Sequence, residues 1–146
     1  MKKITRFICM VLILSMFLVI PAYAQSAAEP RGSAFFASYG TDLYKTGTRT
    51  FQIWFDVDAN AAIMDKLGVS EIIVYRSADG QSWSQMRRYD MEDYSQMIAY
   101  NTTSHIDYVT YDYATPGYYY TAYITFYAKN STGIGERDVY TEIIRM

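Results

Sequence analysis

Asp56, Asp58 and Asn60, in the run DVDAN, put side-chain oxygens at alternate positions as at the start of a calcium loop, and calcium takes roughly six to eight such ligands. The rest of that loop is missing: Ala61 stands where the sharp bend needs glycine and Leu67 where a bidentate Glu belongs. These three residues are the only metal candidates, and outward polar groups at a strand end account for them more simply. Ser104, His105 and Asp107 are close in sequence, but a Ser-His-Asp triad needs three converging groups, and adjacent residues of a strand point to opposite faces. His105 is the only histidine, which removes zinc sites built on several histidines, and a solvated or capping role is expected for it. Asp90, Glu92 and Asp93 could in principle supply the paired carboxylates of a glycosidase. A run on one connection reads first as a solvated loop, so a secreted hydrolase ranks last among the functions considered. There is no glycine-rich phosphate loop and no nucleotide fingerprint, and no cofactor is expected.

Aromatic rings are the remaining resource. Five tyrosines fall between Tyr118 and Tyr127. If that stretch is a strand, its side chains alternate. Tyr118, Tyr120, Ala122, Ile124, Phe126 and Ala128 then share one face, while Tyr119, Thr121, Tyr123, Thr125 and Tyr127 share the other. The first set holds the aliphatic members, and burying a residue such as Ile124 or Phe126 is worth about 1.5–3 kcal/mol, which assigns that face to the core. Tyr119, Tyr123 and Tyr127 are therefore expected in a solvent-facing column. Two readings of the column compete. Tyrosine and threonine stabilise solvated sheets through cross-strand pairs of about 0.2–1 kcal/mol each. Alternatively the column, extended by Tyr75, Trp83 and Tyr140 on neighbouring strands, is a flat platform that stacks on a glycan or anchors a protein partner.

The elements that must position these rings are strands. Phe51, Ile53, Phe55 and Val57 alternate with Gln52, Trp54, Asp56 and Asp58, the mark of a strand with one buried face. Ile72 to Tyr75 is apolar on both faces, as in a central strand, and Asp79-Gly80 supplies a hairpin signal before Trp83 opens the next strand. Between them, ANAAIMDKLGVS contains helix formers and ends near Gly68, which predicts a short helical turn. MEDYSQMIAY fits either a helical turn or a short edge strand. Strands are expected from His105 to Tyr113, from Tyr118 to Ala128 after the Pro116-Gly117 break, and from Val139 to Arg145, with KNSTGIGE as a turn. About seven short strands with almost no helical period predict an all-β, antiparallel two-sheet β-sandwich over residues 34–146.

Residues 1–24 carry Lys2, Lys3 and Arg6, an almost unbroken apolar run from Ile8 to Ile20, and Ala22-Tyr23-Ala24 as a cleavage signature. That run is shorter than the about 20 residues a spanning helix requires, so a signal peptide cut after Ala24 and a secreted protein free of the membrane are expected. Residues 25–33 (QSAAEPRGS) read as a flexible mature N-terminus. The only cysteine, Cys9, lies in the expected leader, so the mature domain must hold together by packing and hydrogen bonding alone. Three of the 13 basic residues fall in the leader, leaving ten against 15 acidic ones and a formal charge of about −5. Nucleic acid is a poor partner for that balance.

IIVYRSADGQSW resembles the C to C′ hairpin of a fibronectin type III or related immunoglobulin-like domain, and PGYYYTAYITFYAKNSTGIGE resembles its F strand, F–G turn and G-strand entry. The resemblance implies a tyrosine corner, with the hydroxyl of Tyr118 or Tyr120 bonding back to the backbone. The chain departs from the pattern on strand B, where Phe55 stands in place of a buried Trp and Trp54 falls on the opposite face. Over nearly its whole mature length it is also similar to small secreted proteins of Gram-positive bacteria, especially clostridia, grouped as a domain of unknown function; this implies fold and location and no activity. The function expected is a non-catalytic extracellular binding module with a glycan or protein partner. A self-associating envelope or matrix component is the alternative, and the oligomeric state is open.

Overall fold

The computed structural model describes residues 34–146; the expected leader (1–24) and mature tail (25–33) lie outside them. The chain runs β1 (Phe36–Lys45), β2 (Phe51–Ala59), β3 (Met64–Ser77), β4 (Ser84–Asp90), a 3-10 turn (Ser95–Met97), β5 (Ile98–Thr102), β6 (Ser104–Tyr111), β7 (Tyr119–Asn130), β8 (Gly133–Tyr140) and β9 (Ile144–Arg145). One sheet has the order β1-β2-β6; the other has the order β4-β3-β7-β8, with β5 on β3 and β9 on β7. All pairings are antiparallel. The architecture is the expected β-sandwich, with two short extra strands. Among the described residues no helix is long and apolar enough to cross a membrane.

The core lies between the sheets and follows the period of two. Phe51, Ile53, Phe55 and Val57 of β2 are buried, and Ala122, Ile124, Phe126 and Ala128 of β7 meet them from the other sheet. Trp54 is half-buried on the opposite side of β2, as the alternation requires. Phe51, Tyr111 and Tyr120 form an aromatic cluster across the sheets, with centroids 5.1 to 5.9 Å apart. Tyr120 is fully buried, and its hydroxyl accepts the Thr115 N–H at 2.7 Å. A buried phenol needs such a partner. Tyr118, also expected inside, is only half-buried, with the Arg76 guanidinium 4.7 Å above its ring.

Three local expectations fail, one of them the strand from Val139 to Arg145, which is interrupted at residues 141–143 between the end of β8 and β9. The helical turn over 59–68 is absent: residues 60–62 bend, and from Met64 the chain is already β3. Helix propensity is a weak prior that tertiary pairing overrides; here Leu67 and Gly68 pair with β5 on one side and β7 on the other. Gly68 is no helix cap, since a Cβ there would lie 2.1 Å from the Met97 carbonyl oxygen, so its glycine permits two backbones to approach. KNSTGIGE is likewise mostly strand. Asn130 Oδ1 accepts the N–H and hydroxyl of Thr132 to close the tight turn, and β8 begins at Gly133. Gly135 lies under Phe35, whose ring a Cβ would meet at 2.7 Å. MEDYSQMIAY contains both readings, the 3-10 turn and then β5.

Candidate functional site

β3, β7 and β8 turn one row of rings to the outer face of the larger sheet. Ile73, Tyr123 and Tyr140 share a register, with Tyr75 opposite Thr121 two residues along. Tyr140 lies 5.1 Å from Tyr123 and 6.4 Å from Tyr75 between centroids. Beside them opens a groove of about 380 Å³ lined by Tyr75, Trp83, Thr121, Tyr140, Thr141 and Ile143.

Two devices set its shape. The first is the β3–β4 turn, where Asp79 Oδ1 accepts the N–H of Gln81 (2.9 Å), the N–H of Ser82 (2.8 Å) and the Ser77 hydroxyl (2.8 Å). The backbone bonds from Ser82 and Gln81, then the Ser77 hydroxyl, hold the Asp79 carboxyl far below the usual carboxylate range. Trp83 follows directly from this braced turn. The second device is Thr141, whose Oγ1 accepts the Ala122 N–H at 2.9 Å, while the Thr121 hydroxyl donates to the Thr141 carbonyl at 3.1 Å. A side chain thus takes the place of a ladder acceptor, β8 ends, and the chain swings out to present Ile143, which is 56% exposed. The floor hydroxyls are committed to backbone groups, so the groove meets a ligand with aromatic and aliphatic surface.

Of the residues singled out from sequence, Tyr75, Trp83 and Tyr140 line the groove, and Tyr123 stands beside Tyr140. Asp138 raises the Tyr123 phenol by hydrogen bonding, with burial adding to it. Tyr119 lies apart, its ring covered by Arg145 at 5.4 Å. Tyr127 corrects the expected solvent column: it is only 8% exposed, on a central strand with Gly68 and Glu136 as register neighbours. Thr121, also expected outside, is buried as part of the groove floor. Ile143 and Thr141 were missed; no periodicity marks them, because their positions follow from the strand break.

Of the other chemistry-bearing residues, only Asp90, Glu92 and Asp93 come together in one place. Asp56 and Asp58 are exposed within β2 and Asn60 in the bend after it, so DVDAN is a strand end. Among the described residues no three His, Cys, Asp or Glu side chains are grouped to hold a metal. His105 contacts the Gln96 carbonyl through Nε2 at 2.8 Å and packs its ring on Phe55, while Asp107 accepts the Tyr108 N–H. Asp90 accepts from Arg88 at 3.1 Å, and with Glu71, Glu92, Asp93 and Glu136 it lines a separate acidic groove. No protein-family model and no curated protein matches the chain.

Proposed function

We propose that this chain is an exported, non-catalytic binding module of the fibronectin type III or immunoglobulin-like kind, whose aromatic groove grips an apolar side chain of a protein partner. Two features support the fold assignment. β1-β2-β6 corresponds to an A-B-E sheet and β4-β3-β7-β8 to C′-C-F-G, and the Tyr120 bond to Thr115 is the contact a tyrosine corner makes. Export from a Gram-positive cell rests on the leader of residues 1–24 and on a mature chain without cysteine.

One observation carries the functional reading: Tyr75, Trp83, Tyr140 and Ile143 surround an open groove over threonine hydroxyls already bonded to backbone. Tyrosine and tryptophan around a desolvated pocket are the composition of interface anchors. A sugar would ask for free donors and acceptors on the floor, where Thr121 and Thr141 are engaged. The test is Tyr140→Ala combined with Ile143→Ser, both at exposed positions. The pair should abolish capture of a protein partner from culture supernatant while leaving the melting temperature nearly unchanged. Retention on a wall-glycan array that the same pair abolishes would replace the protein partner with a glycan. A concentration-dependent oligomer that dissociates in the pair variant would make the partner a second copy.

A further inference from the structure

The smaller sheet carries its own aromatic face, made by residues that the larger groove does not use. Trp54 of β2 lies between Asp42 of β1 and Tyr108 of β6 in one register row. Its ring sits 4.8 Å from Tyr108 at a 30° tilt and 6.2 Å from Tyr44 edge-on. A shallow groove of about 310 Å³ is lined by Tyr44, Gln52 and Trp54. Tyr108 and Tyr44 are exposed, and Ile106, in the next row, is 67% exposed.

What surrounds these rings sets this face apart. Asp42, Asp56 and Asp58 all point outward here. No Lys or Arg occupies any of its outward positions from Ser38 to Tyr44, from Gln52 to Asp58 or from Ser104 to Thr110. Among the described residues the ion pairs are those of Arg88 with Glu71 and Asp90, on the other sheet. The neutral polar groups are already matched, Trp54 Nε1 donating to Gln52 Oε1 at 3.0 Å and the Tyr44 hydroxyl to Asp42 at 3.2 Å. Asp56 lies over Gly40, where a Cβ would come within 2.5 Å of its Oδ1. Partial burial first, then the like charges of Asp58 and Asp42, push its carboxyl up. The unfilled capacity of the face is for donors carrying positive charge. It lies beside ring faces that themselves attract cations, with successive rows only about 7 Å apart.

We propose that the outer face of the three-stranded sheet is a second recognition surface, which takes an arginine-bearing segment of a partner polypeptide by stacking a guanidinium on Trp54 and Tyr108 and pairing it with Asp42 and Asp56. Arginine suits both halves of the site, because its flat, weakly hydrated group stacks on aromatic rings and presents its donors to carboxylates in a fork. A neutral sugar would stack as well but would leave the three carboxylates uncompensated. Asp58 adds to the field while keeping its own hydrogen bond from Ser38 at 2.8 Å.

The experiment titrates a hexa-arginine peptide into the full chain carrying Trp83→Phe, so that Trp54 is the only tryptophan described in the domain. The peptide should produce a saturable change in Trp54 fluorescence. An uncharged hexa-citrulline peptide should bind at least about tenfold more weakly, as should the Asp42→Asn, Asp56→Asn, Asp58→Asn triple variant, since each loses charge-assisted bonds. Neutralising Glu92, Asp93 and Glu136 on the opposite sheet should leave the titration unchanged, and so should Tyr140→Ala, which separates this result from the fate of the larger groove. Equal binding of hexa-citrulline, a silent Trp54, or loss of binding on neutralising the opposite sheet instead would each overturn the proposal.

Discussion

Each sheet places an aspartate near exposed aromatic rings, and the two carboxylates are held in opposite states. Asp79, in the turn leading to Trp83, accepts three hydrogen bonds and is driven well below the ordinary range. Asp56, near Trp54, forms no ion pair among the described residues and is driven up by burial, then by Asp58 and Asp42. The first carboxylate has its charge fully used inside the molecule, and it acts as a brace. The second sits beside like charges on a face whose outward strand positions carry no Lys or Arg. Ring content alone would have made the two faces equivalent; what distinguishes them is that donors surround the carboxylate near one set of rings while like charges surround the carboxylate near the other.

Removing the support common to both faces should have the largest effect. Phe126 is fully buried and packs at 5.2 Å on Tyr39 of the other sheet. Phe126→Ala should cost about 3–5 kcal/mol by chemical denaturation, with groove and acidic face lost together in one transition. If binding at one face survives in conditions where the other is gone, the faces belong to separable units and the comparison fails.

A smaller effect is expected at the brace. The folded-state pKa of Asp79 lies below its unfolded value, so its contribution is fully present above about pH 4 and is lost as pH falls further. Asp79→Asn should therefore lower the melting temperature at pH 7, and this deficit against the parent chain should shrink steadily below pH 4. A deficit that persists unchanged at pH 2 would show that charge is not what the turn uses.

The smallest effect has the opposite sign. Asp56 titrates above its unfolded value, so its ionisation works against the fold as pH rises through and beyond about pH 4. Asp56→Asn should raise the melting temperature slightly at pH 7, with the gain vanishing at acid pH, while weakening hexa-arginine binding. A variant that is less stable at neutral pH would place Asp56 with Asp79 as a structural group and erase the contrast between the faces.

The sandwich itself could be read before any coordinates because its two signals are local. Alternation along β2 and β7 places Phe55 and Ile124 inside and Trp54 and Tyr123 outside, and each strand carries that information within itself. The same rule failed at Tyr127, whose burial depends on the strands to either side. It also misjudged Gly68 and Gly135, which looked like punctuation yet sit where another backbone or ring comes close. Half of the aromatic groove was visible, in Tyr75, Trp83 and Tyr140. Ile143 and Thr141 were not, since a threonine replacing a ladder carbonyl leaves no trace in periodicity.

From the order of residues alone came the β class, the inward face of the core-forming strands and the aromatic and acidic content, because these follow from properties each segment carries by itself. Tertiary structure decided which rings share a groove, which hydroxyls are already bonded and which carboxylates form ion pairs. Those depend on distances between strands far apart in the chain, and the unequal engagement of Asp79 and Asp56 exists only once the sheets have formed.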